Sequence, residues 1–193
     1  ALTGNAGTWD ASTTARQDIK RSLQHGVEKI LADTLNGVRA DDLVLVISSQ
    51  LAAKLTQCQE IVDYIKASPD ALAQVRGELP GKNTAHGLPS KLYGISLVVE
   101  DTYKVSTKKG ASTTTRSQVL DDGYAILMAR PGSLEGVAGA PTFSTCVLFS
   151  YAEQQVYKKV DADNERTMGR VVDIHVPKLV APASGILFTS VTA

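Results

Sequence analysis

The stretch Asp41-Asp-Leu-Val-Leu-Val-Ile-Ser-Ser49 contains an unbroken apolar run, Leu43 to Ile47, between acidic and hydroxyl residues. Such a run predicts a strand buried on both faces, and strands of that kind lie in the middle of a sheet covered by helices. A helix is expected to follow directly, because Ser48 or Ser49 can accept a hydrogen bond from the first free helical amides. We therefore expect an α+β domain built around this strand.

Helices are predicted on both sides of this strand along the sequence. The first begins near Thr14-Ala-Arg-Gln17, which matches a capping box, and ends at Asn36-Gly37, where both residues tolerate left-handed backbone angles. Gly26 interrupts it at a cost of about 1 kcal/mol. The second helix runs from Ser49 to Ser68-Pro69, since a residue before proline avoids helical angles. Apolar residues at helical spacing mark the buried face of the first helix: Ile19, Leu23, Val27, Ile30, Leu31 and Leu35.

Three further strands and a hairpin are predicted downstream. Ile95–Glu100 and Tyr124–Ala129 are apolar enough to be buried, and Gly185–Ser190 is a last short strand. The polar, Thr-rich tract from Val105 to Ser117 is predicted to form a hairpin with its tip at Lys108-Lys109-Gly110.

A long antiparallel ribbon is predicted in the last third of the chain. Its strands, Cys146–Tyr151, Gln155–Val160 and Val171–Val176, alternate apolar and polar side chains, which is typical of a ribbon with one solvated face. A charged turn, Asp161–Arg166, joins the second of these strands to the third. The Tyr and Phe side chains of the chain are expected at packing positions in strands.

Three segments are predicted to lack regular structure. Residues 1–8 are small and polar, and they are expected to be a loose lead-in. Residues 76–87 contain three glycines and a proline, which predicts a long exposed loop. Residues 132–141 show the clearest change of composition, again with three glycines and a proline, so a domain crossing is expected there.

The charge balance argues against several classes of partner. With 20 basic and 20 acidic residues the net charge is zero, which gives no overall electrostatic footprint for nucleic acid or an anionic membrane and favours self-association. No apolar run is long enough for a transmembrane helix. Cys58 and Cys146 are expected to be reduced, buried thiols, because they lie far apart without metal-type neighbours.

No reactive constellation is found in the sequence. The glycine-rich phosphate-binding motifs and the G-x-S-x-G nucleophile motif are absent. His25, His86 and His175 lack other ligands at metal-binding spacing. The pairs Asp41-Asp42 and Asp121-Asp122 precede strands, where adjacent side chains point to opposite faces, so neither forms an acid–base dyad. We therefore expect no enzyme activity, no metal and no cofactor.

The order of these elements resembles the C-terminal two-thirds of a Hong Kong 97-type tailed-phage or prophage major capsid protein. The resemblance rests on Gly87-Leu-Pro-Ser-Lys-Leu-Tyr-Gly94 before a Val-rich strand, and on a late ribbon with a charged tip at Asp161–Arg166. Asp101-Thr-Tyr-Lys-Val105 and Thr167-Met-Gly-Arg170 are similar to segments of one phage and prophage capsid subgroup. The resemblance extends from about Thr13 to Val191.

This resemblance implies a fold and a division of the chain. The fold is the Hong Kong 97-type capsid fold, with a central mixed sheet flanked by helices in an axial domain. The axial domain takes residues 9–142 together with the final strand in 178–193, and residues 143–177 form the ribbon of the peripheral domain. The N-terminal arm, extended loop and spine helix of the family are not found in this sequence.

The resemblance also implies a function and its partners. The expected role is a structural subunit of an icosahedral capsid, assembled in the host bacterial cytoplasm and located in the virion. The main partner is the chain itself, in pentamers and hexamers; scaffold and portal proteins and non-specifically held packaged DNA are further partners, and a membrane is not. Contacts between subunits are expected from an axial loop, through Arg76, Glu78, Lys82, Asn83 and His86, and from the ribbon tip, through Asp161, Asp163, Glu165 and Arg166.

Other functions stay open on the sequence alone. A non-catalytic α/β module could bind a small ligand in the crevice beyond the strand ends. An encapsulin-like compartment shell shares the fold by analogy. An enzyme with dispersed catalytic residues is a third possibility.

Overall fold

The computed structural model of the chain describes residues 8–78, 86–108, 110, 112–130, 144–161 and 166–193. Its α-helices are α1 (Asp18–Asp33), α2 (Ser49–Gln57), α3 (Gln59–Ala67) and α4 (Pro69–Val75). Its strands are β1 (Leu43–Ser48), β2 (Lys91–Leu92), β3 (Ile95–Glu100), β4 (Tyr103–Val105), β5 (Arg116–Gln118), β6 (Tyr124–Ala129), β7 (Cys146–Asp161), β8 (Arg166–Leu179) and β9 (Gly185–Thr189). Short 3₁₀ turns lie at Trp9–Ala11, Ala40–Asp42 and Pro182–Ser184. The predicted lead-in, apart from Thr8, and the composition change at 132–141 lie outside the described residues.

A mixed five-stranded sheet forms the centre of the fold, in the order β2-β3-β1-β6-β9. The apolar run of β1 occupies the middle of this sheet as predicted, parallel to β3 and antiparallel to β6. The side chains of Leu43, Leu45 and Ile47 are fully buried. The final strand β9 pairs antiparallel with β6 and so closes the sheet on that side. The observed class is therefore α+β with a central mixed sheet, as expected.

Helix α1 packs on this sheet through the predicted apolar face, with Ile19, Leu23 and Ile30 fully buried. The prediction is wrong for Leu35, whose side chain is 90% exposed. The helix ends at Asp33, and Leu35 already has a left-handed φ of 51°. Asn36 follows with a φ of 60°, so the predicted stop lies close to the observed one.

Gly26 lies where α1 packs closely against the side chains of β6 and β9. A Cβ at this position would lie 2.8 Å from Cζ of Phe188 and 3.2 Å from Cδ2 of Leu127. Phe188 cannot move freely, because its ring packs against Trp9 with centroids 5.4 Å apart. The absence of a side chain at Gly26 therefore allows close packing, and this packing offsets the free-energy cost of glycine in a helix.

Gly26→Ala is expected to lower the free energy of unfolding by about 1–3 kcal/mol, although the same change in an exposed helix would stabilise it. Urea denaturation of the purified chain measures the difference. Gly123→Ala is the matched control, because a Cβ there would meet no atom within 4 Å. Equal stability of the two variants would show that the close approach at Gly26 does not matter.

The start of α1 differs from the predicted capping box. Gln17 takes a left-handed φ of 49°, so the helix begins at Asp18 and Gln17 makes no side-chain cap. Thr14 donates its hydroxyl hydrogen bond to Asp63 instead. The first free amide of the helix, that of Asp18, donates to Oγ of Ser12 at 3.1 Å. The cap thus comes from outside the predicted motif.

The carboxylate of Glu60 completes this cap from α3, about forty residues further along the chain. Its oxygens accept hydrogen bonds from the backbone amides of Ile19 at 3.1 Å and Lys20 at 2.9 Å. They also accept from the hydroxyls of Ser12 and Tyr93, the latter at 2.8 Å. Burial of the ring and the adjacent Glu60 carboxylate raise the pKa of Tyr93, which keeps the phenol protonated as a donor. The buried charge at the helix N-terminus is therefore fully hydrogen-bonded.

The helices after β1 are interrupted more often than predicted. Ser48 caps α2 as expected, since its Oγ accepts from the amide of Leu51 at 3.2 Å. The single predicted helix breaks at Cys58, which has extended backbone angles, into α2 and α3. Ser68 ends α3 as predicted, but Pro69 then opens the unpredicted helix α4. Proline suits the first helical position, where no amide hydrogen is required.

The two cysteines occupy different environments. Cys58 is buried as predicted, its Sγ donates to the carbonyl oxygen of Ser12 at 2.9 Å, and burial raises the pKa of its thiol. Cys146 is exposed, so the prediction of a second buried thiol is wrong. It stands at the start of β7, which pairs with β8 outside the central sheet.

Candidate functional site

The described residues contain no cluster suited to metal chemistry. No group of three or more His, Cys, Asp or Glu side chains within them could hold a metal ion. His86 contacts Asp101 at 3.1 Å and His175 contacts Asp173 at 3.4 Å, while His25 lies on α1. Within the same ranges, no helix is long and apolar enough to cross a membrane.

An open cleft of about 440 Å³ lies beside α1. Its apolar wall includes Leu23, Val27 and Ile95, and its rim carries Glu28 and Asp41. The cleft adjoins the amino-terminal ends of β1 and β3, whereas open α/β sheets bind ligands beyond the carboxyl ends of parallel strands. This cleft is therefore not the crevice predicted for a small-ligand module.

The predicted axial-loop residues are described only in part. Arg76 and Glu78 are exposed just after α4, with Nη1 and Oε1 3.9 Å apart. His86 is half-buried through its contact with Asp101. Lys82 and Asn83 lie outside the described residues. The structure thus pairs Arg76 with Glu78 and His86 with Asp101 within the chain, and contacts between subunits stay a prediction.

The ribbon formed by β7 and β8 is the largest feature outside the central sheet. It extends from the pair Cys146–Leu179 to the pair Asp161–Arg166 at its far end. The strands predicted separately at 146–151 and 155–160 are one strand, β7, with register irregularities between Ser150 and Gln155. Bulges of this kind place extra residues in one strand and bend it without ending the pairing.

One face of this ribbon is mainly apolar between the pairs Val147–Lys178 and Gln155–Val172, which is about half of its length. Phe149 lies opposite Val176, and Gln155 lies opposite Val172. Cross-strand partners and residues two apart share a face, and the irregularities fall in β7, so the alternate residues of β8 stay together. We call this surface the apolar ribbon face; it consists of Val147, Phe149, Val172, Ile174 and Val176.

The apolar ribbon face is open to solvent in the single chain. Phe149 is 55% exposed and Val176 is 60% exposed. The opposite face carries further exposed apolar side chains, including Leu148, Val156 and Val171. The predicted ribbon with one solvated and one packed face is therefore wrong, because both faces are solvated along the part that the structure describes. A two-stranded ribbon is only marginally stable in water by itself, and large exposed apolar patches mark interaction sites.

The prediction that aromatic side chains occupy packing positions also fails in the ribbon. Tyr151 is 90% exposed, and Tyr157 and Phe149 are more than half exposed. The sequence does contain a signal for this arrangement, since Val147-Leu-Phe149 places apolar residues on both sides of a strand. Both faces of an isolated ribbon then require a covering partner.

The ribbon tip is described at its two flanks only. Asp161 and Arg166 lie opposite each other as the last pair of the ladder. Asp163 and Glu165 lie outside the described residues. The charged tip therefore stays a prediction as a contact site.

Comparisons with known proteins identify similar folds. Neither a protein-family model nor a curated protein sequence matches the chain. A crystal structure of a phage-related protein from Bordetella bronchiseptica RB50 matches 98% of this chain and 55% of its own, with a TM-score of 0.65 and 14% identity. A structure from Mycobacterium phage Che8 matches 100% of this chain and 53% of its own, with a TM-score of 0.56 and 17% identity.

A third similar structure is a capsid. The capsid structure of the cyanophage P-SCSP1u matches 93% of this chain and 47% of its own, with a TM-score of 0.51 and 14% identity. The chain thus spans about half the length of the solved structures it matches. Its fold is that of a phage-related protein and of a phage capsid structure, in agreement with the resemblance found in the sequence.

Proposed function

We propose that this chain is a structural, non-catalytic subunit of a phage or prophage capsid shell, with the Hong Kong 97-type fold and a location in the virion. The observation that carries the proposal is the apolar ribbon face, in which Phe149, Ile174 and Val176 are exposed in the single chain. Similarity in fold to a cyanophage capsid structure supports the same role. Association with copies of the chain would remove this apolar surface from water. Burial of apolar surface is the main favourable contribution to the free energy of protein association.

The proposed assembly is a closed ring of five or six copies. Rings require a heterologous interface, in which one surface of a subunit meets a different surface of the next. A ribbon that stands outside the central sheet is suited to this, because it can lie on a neighbour while its own sheet stays intact. Balanced charges of both signs suit an interface that has to match another part of the same molecule.

We assign the two predicted domains to two of the three sheets that the described residues form. The central sheet, with helices α1 to α4, is the axial domain, and its pairing of β6 with β9 supports the inclusion of the final strand. The β7–β8 ribbon is the peripheral domain. Assembly in the bacterial cytoplasm, with scaffold and portal proteins as further partners, belongs to this proposal.

Native mass spectrometry over a concentration series tests the proposal. We expect pentamers, hexamers or multiples of them to appear as the concentration rises. Species that stop at dimers, or a monomer at every concentration, would contradict it.

Removal of the axial-loop charges is expected to weaken these rings slightly. The double variant Arg76→Gln with Glu78→Gln should lower the association constant about threefold if the two charges pair between neighbours, since exposed pairs contribute about 0.2–1 kcal/mol. Stability of the monomer should not change, because both side chains are exposed. An unchanged oligomer distribution in native mass spectrometry would remove the support for an axial loop at this position.

A further inference from the structure

The β4–β5 hairpin is a concentrated positive region in a chain of zero net charge. Residues 102–120 contain Lys104, Lys108, Lys109 and Arg116 and no acidic residue. The nearest carboxylates in the sequence, Asp101 and Asp121, lie at the two ends of this segment. The overall balance of 20 basic and 20 acidic residues therefore conceals a local excess of positive charge.

The described cationic side chains of this hairpin are free to meet an outside partner. Lys104, Lys108 and Arg116 are all exposed. Ion pairs in the described residues involve other basic side chains, such as those of Lys29 and Lys54. Among the described residues, no carboxylate forms an ion pair with Lys104, Lys108 or Arg116.

The hairpin is attached at its root to Ser49, the first residue of α2. Gln118 is nearly fully buried, and its Nε2 donates to Oγ of Ser49 at 2.5 Å and to Oη of Tyr103 at 3.1 Å. The amide of Val119 donates to the carbonyl oxygen of Thr102 at 3.0 Å. The positive charges are thus carried on an anchored hairpin whose strands are exposed apart from Gln118.

The loop end of the hairpin matches phosphate better than protein, whereas β4 at its base also exposes Tyr103 and Val105. Between residues 106 and 117 the sequence contains seven Ser or Thr hydroxyls, and Ala111 is its single apolar side chain beyond glycine. Lys, Arg, Ser and Thr are the side chains that contact nucleic-acid backbones, whereas tight protein interfaces depend on buried aromatic or aliphatic anchors. A two-stranded ribbon also has the width to approach a DNA groove.

We propose that the β4–β5 hairpin binds the phosphate backbone of nucleic acid without sequence preference. The inference deepens the proposed function, because a subunit of a phage shell has the packaged genome as a neighbour. Contacts of Lys104, Lys108 and Arg116 with successive phosphates supply the affinity, through release of the counterions condensed on the duplex.

Fluorescence anisotropy with a labelled DNA duplex of about 30 base pairs and mixed sequence tests this at about 50 and about 150 mM salt. The test variant is Lys104→Gln with Lys108→Gln and Arg116→Gln. The control variant is Arg21→Gln with Lys66→Gln and Lys91→Gln, which removes the same charge from exposed positions on three separate elements. Polyglutamate of the same total charge as the duplex is added as a competitor, to separate binding of phosphates from binding of any polyanion.

We expect the hairpin variant to lose at least about tenfold in affinity at the lower salt, and its slope of log K against log salt to fall by about 2.7. The control variant should lose less than about twofold, and polyglutamate should compete weakly. Equal losses in both variants, no binding by the unaltered chain, or full competition by polyglutamate would each overturn the proposal. Native mass spectrometry of the same variants reports assembly separately, so a failure here is distinguishable from a failure of the shell role.

Discussion

Phe149→Asp is expected to raise the dissociation constant for self-association at least about 30-fold, which corresponds to about 2 kcal/mol. Phe149 is 55% exposed in the single chain and lies opposite Val176 in the apolar ribbon face. A carboxylate at the centre of a surface that becomes buried on association has to be desolvated without a partner, which is costly. Sedimentation velocity over a concentration series measures the change.

The control for this variant is Leu35→Asp, which introduces the same charge at an apolar side chain that is 90% exposed outside the ribbon. It should associate as the unaltered chain does. Both variants should unfold within about 0.5 kcal/mol of the unaltered chain, because neither side chain belongs to the core. A Phe149→Asp chain that still associates normally would show that the apolar ribbon face is not the interface.

Glu60→Ala is expected to lower the free energy of unfolding by about 3–5 kcal/mol. The substitution leaves the amides of Ile19 and Lys20 and the hydroxyls of Ser12 and Tyr93 without their common acceptor. These groups are at a buried helix start, where each unsatisfied donor costs about 1–3 kcal/mol. Urea denaturation followed by circular dichroism measures the loss.

Glu60→Gln tests how much of this loss comes from the missing acceptor oxygens. The amide keeps one acceptor oxygen but turns an NH₂ group towards donors, so a smaller loss of about 1–3 kcal/mol is expected. Glu28→Ala, at an exposed position on α1, is the control and should change stability by less than about 0.5 kcal/mol. If Glu60→Ala were as stable as Glu28→Ala, the cap across α1 and α3 would have no energetic role.

Four of the five strands of the central sheet, all except β2, were predictable because their signal is local. Leu43–Ile47 and Tyr124–Ala129 are apolar without interruption, and a run of that kind has few places to lie other than a sheet covered by helices. The cap at Ser48 and the stop at Ser68 were likewise predictable, since both depend on the residue and its immediate neighbours.

The features that sequence reasoning missed depend on contacts between distant residues. The acceptor at the start of α1 is Glu60, and the reason for Gly26 is Phe188 in the last strand. Neither partner can be paired by spacing alone. The local charge excess of the β4–β5 hairpin was overlooked for another reason, because the total charge of zero averages over the whole chain.

The ribbon was predicted as a pair of strands but not as a surface. Alternation of apolar and polar residues indicates that a strand has one apolar face. It does not show whether that face is covered by the same chain or by another copy. In Val147-Leu-Phe149 the alternation is lost, which in a central strand means burial on both sides. Here the structure exposes Leu148 and Phe149 on opposite faces of a ribbon outside the central sheet.

Electron cryomicroscopy of the associated protein shows whether the β7–β8 ribbon forms the contact between subunits. We predict rings of five or six copies in which the ribbon of each subunit lies on its neighbour, with Phe149 and Val176 out of contact with water. Rings in which these two side chains stay in solvent, or a chain that remains monomeric at every concentration reached, would contradict it.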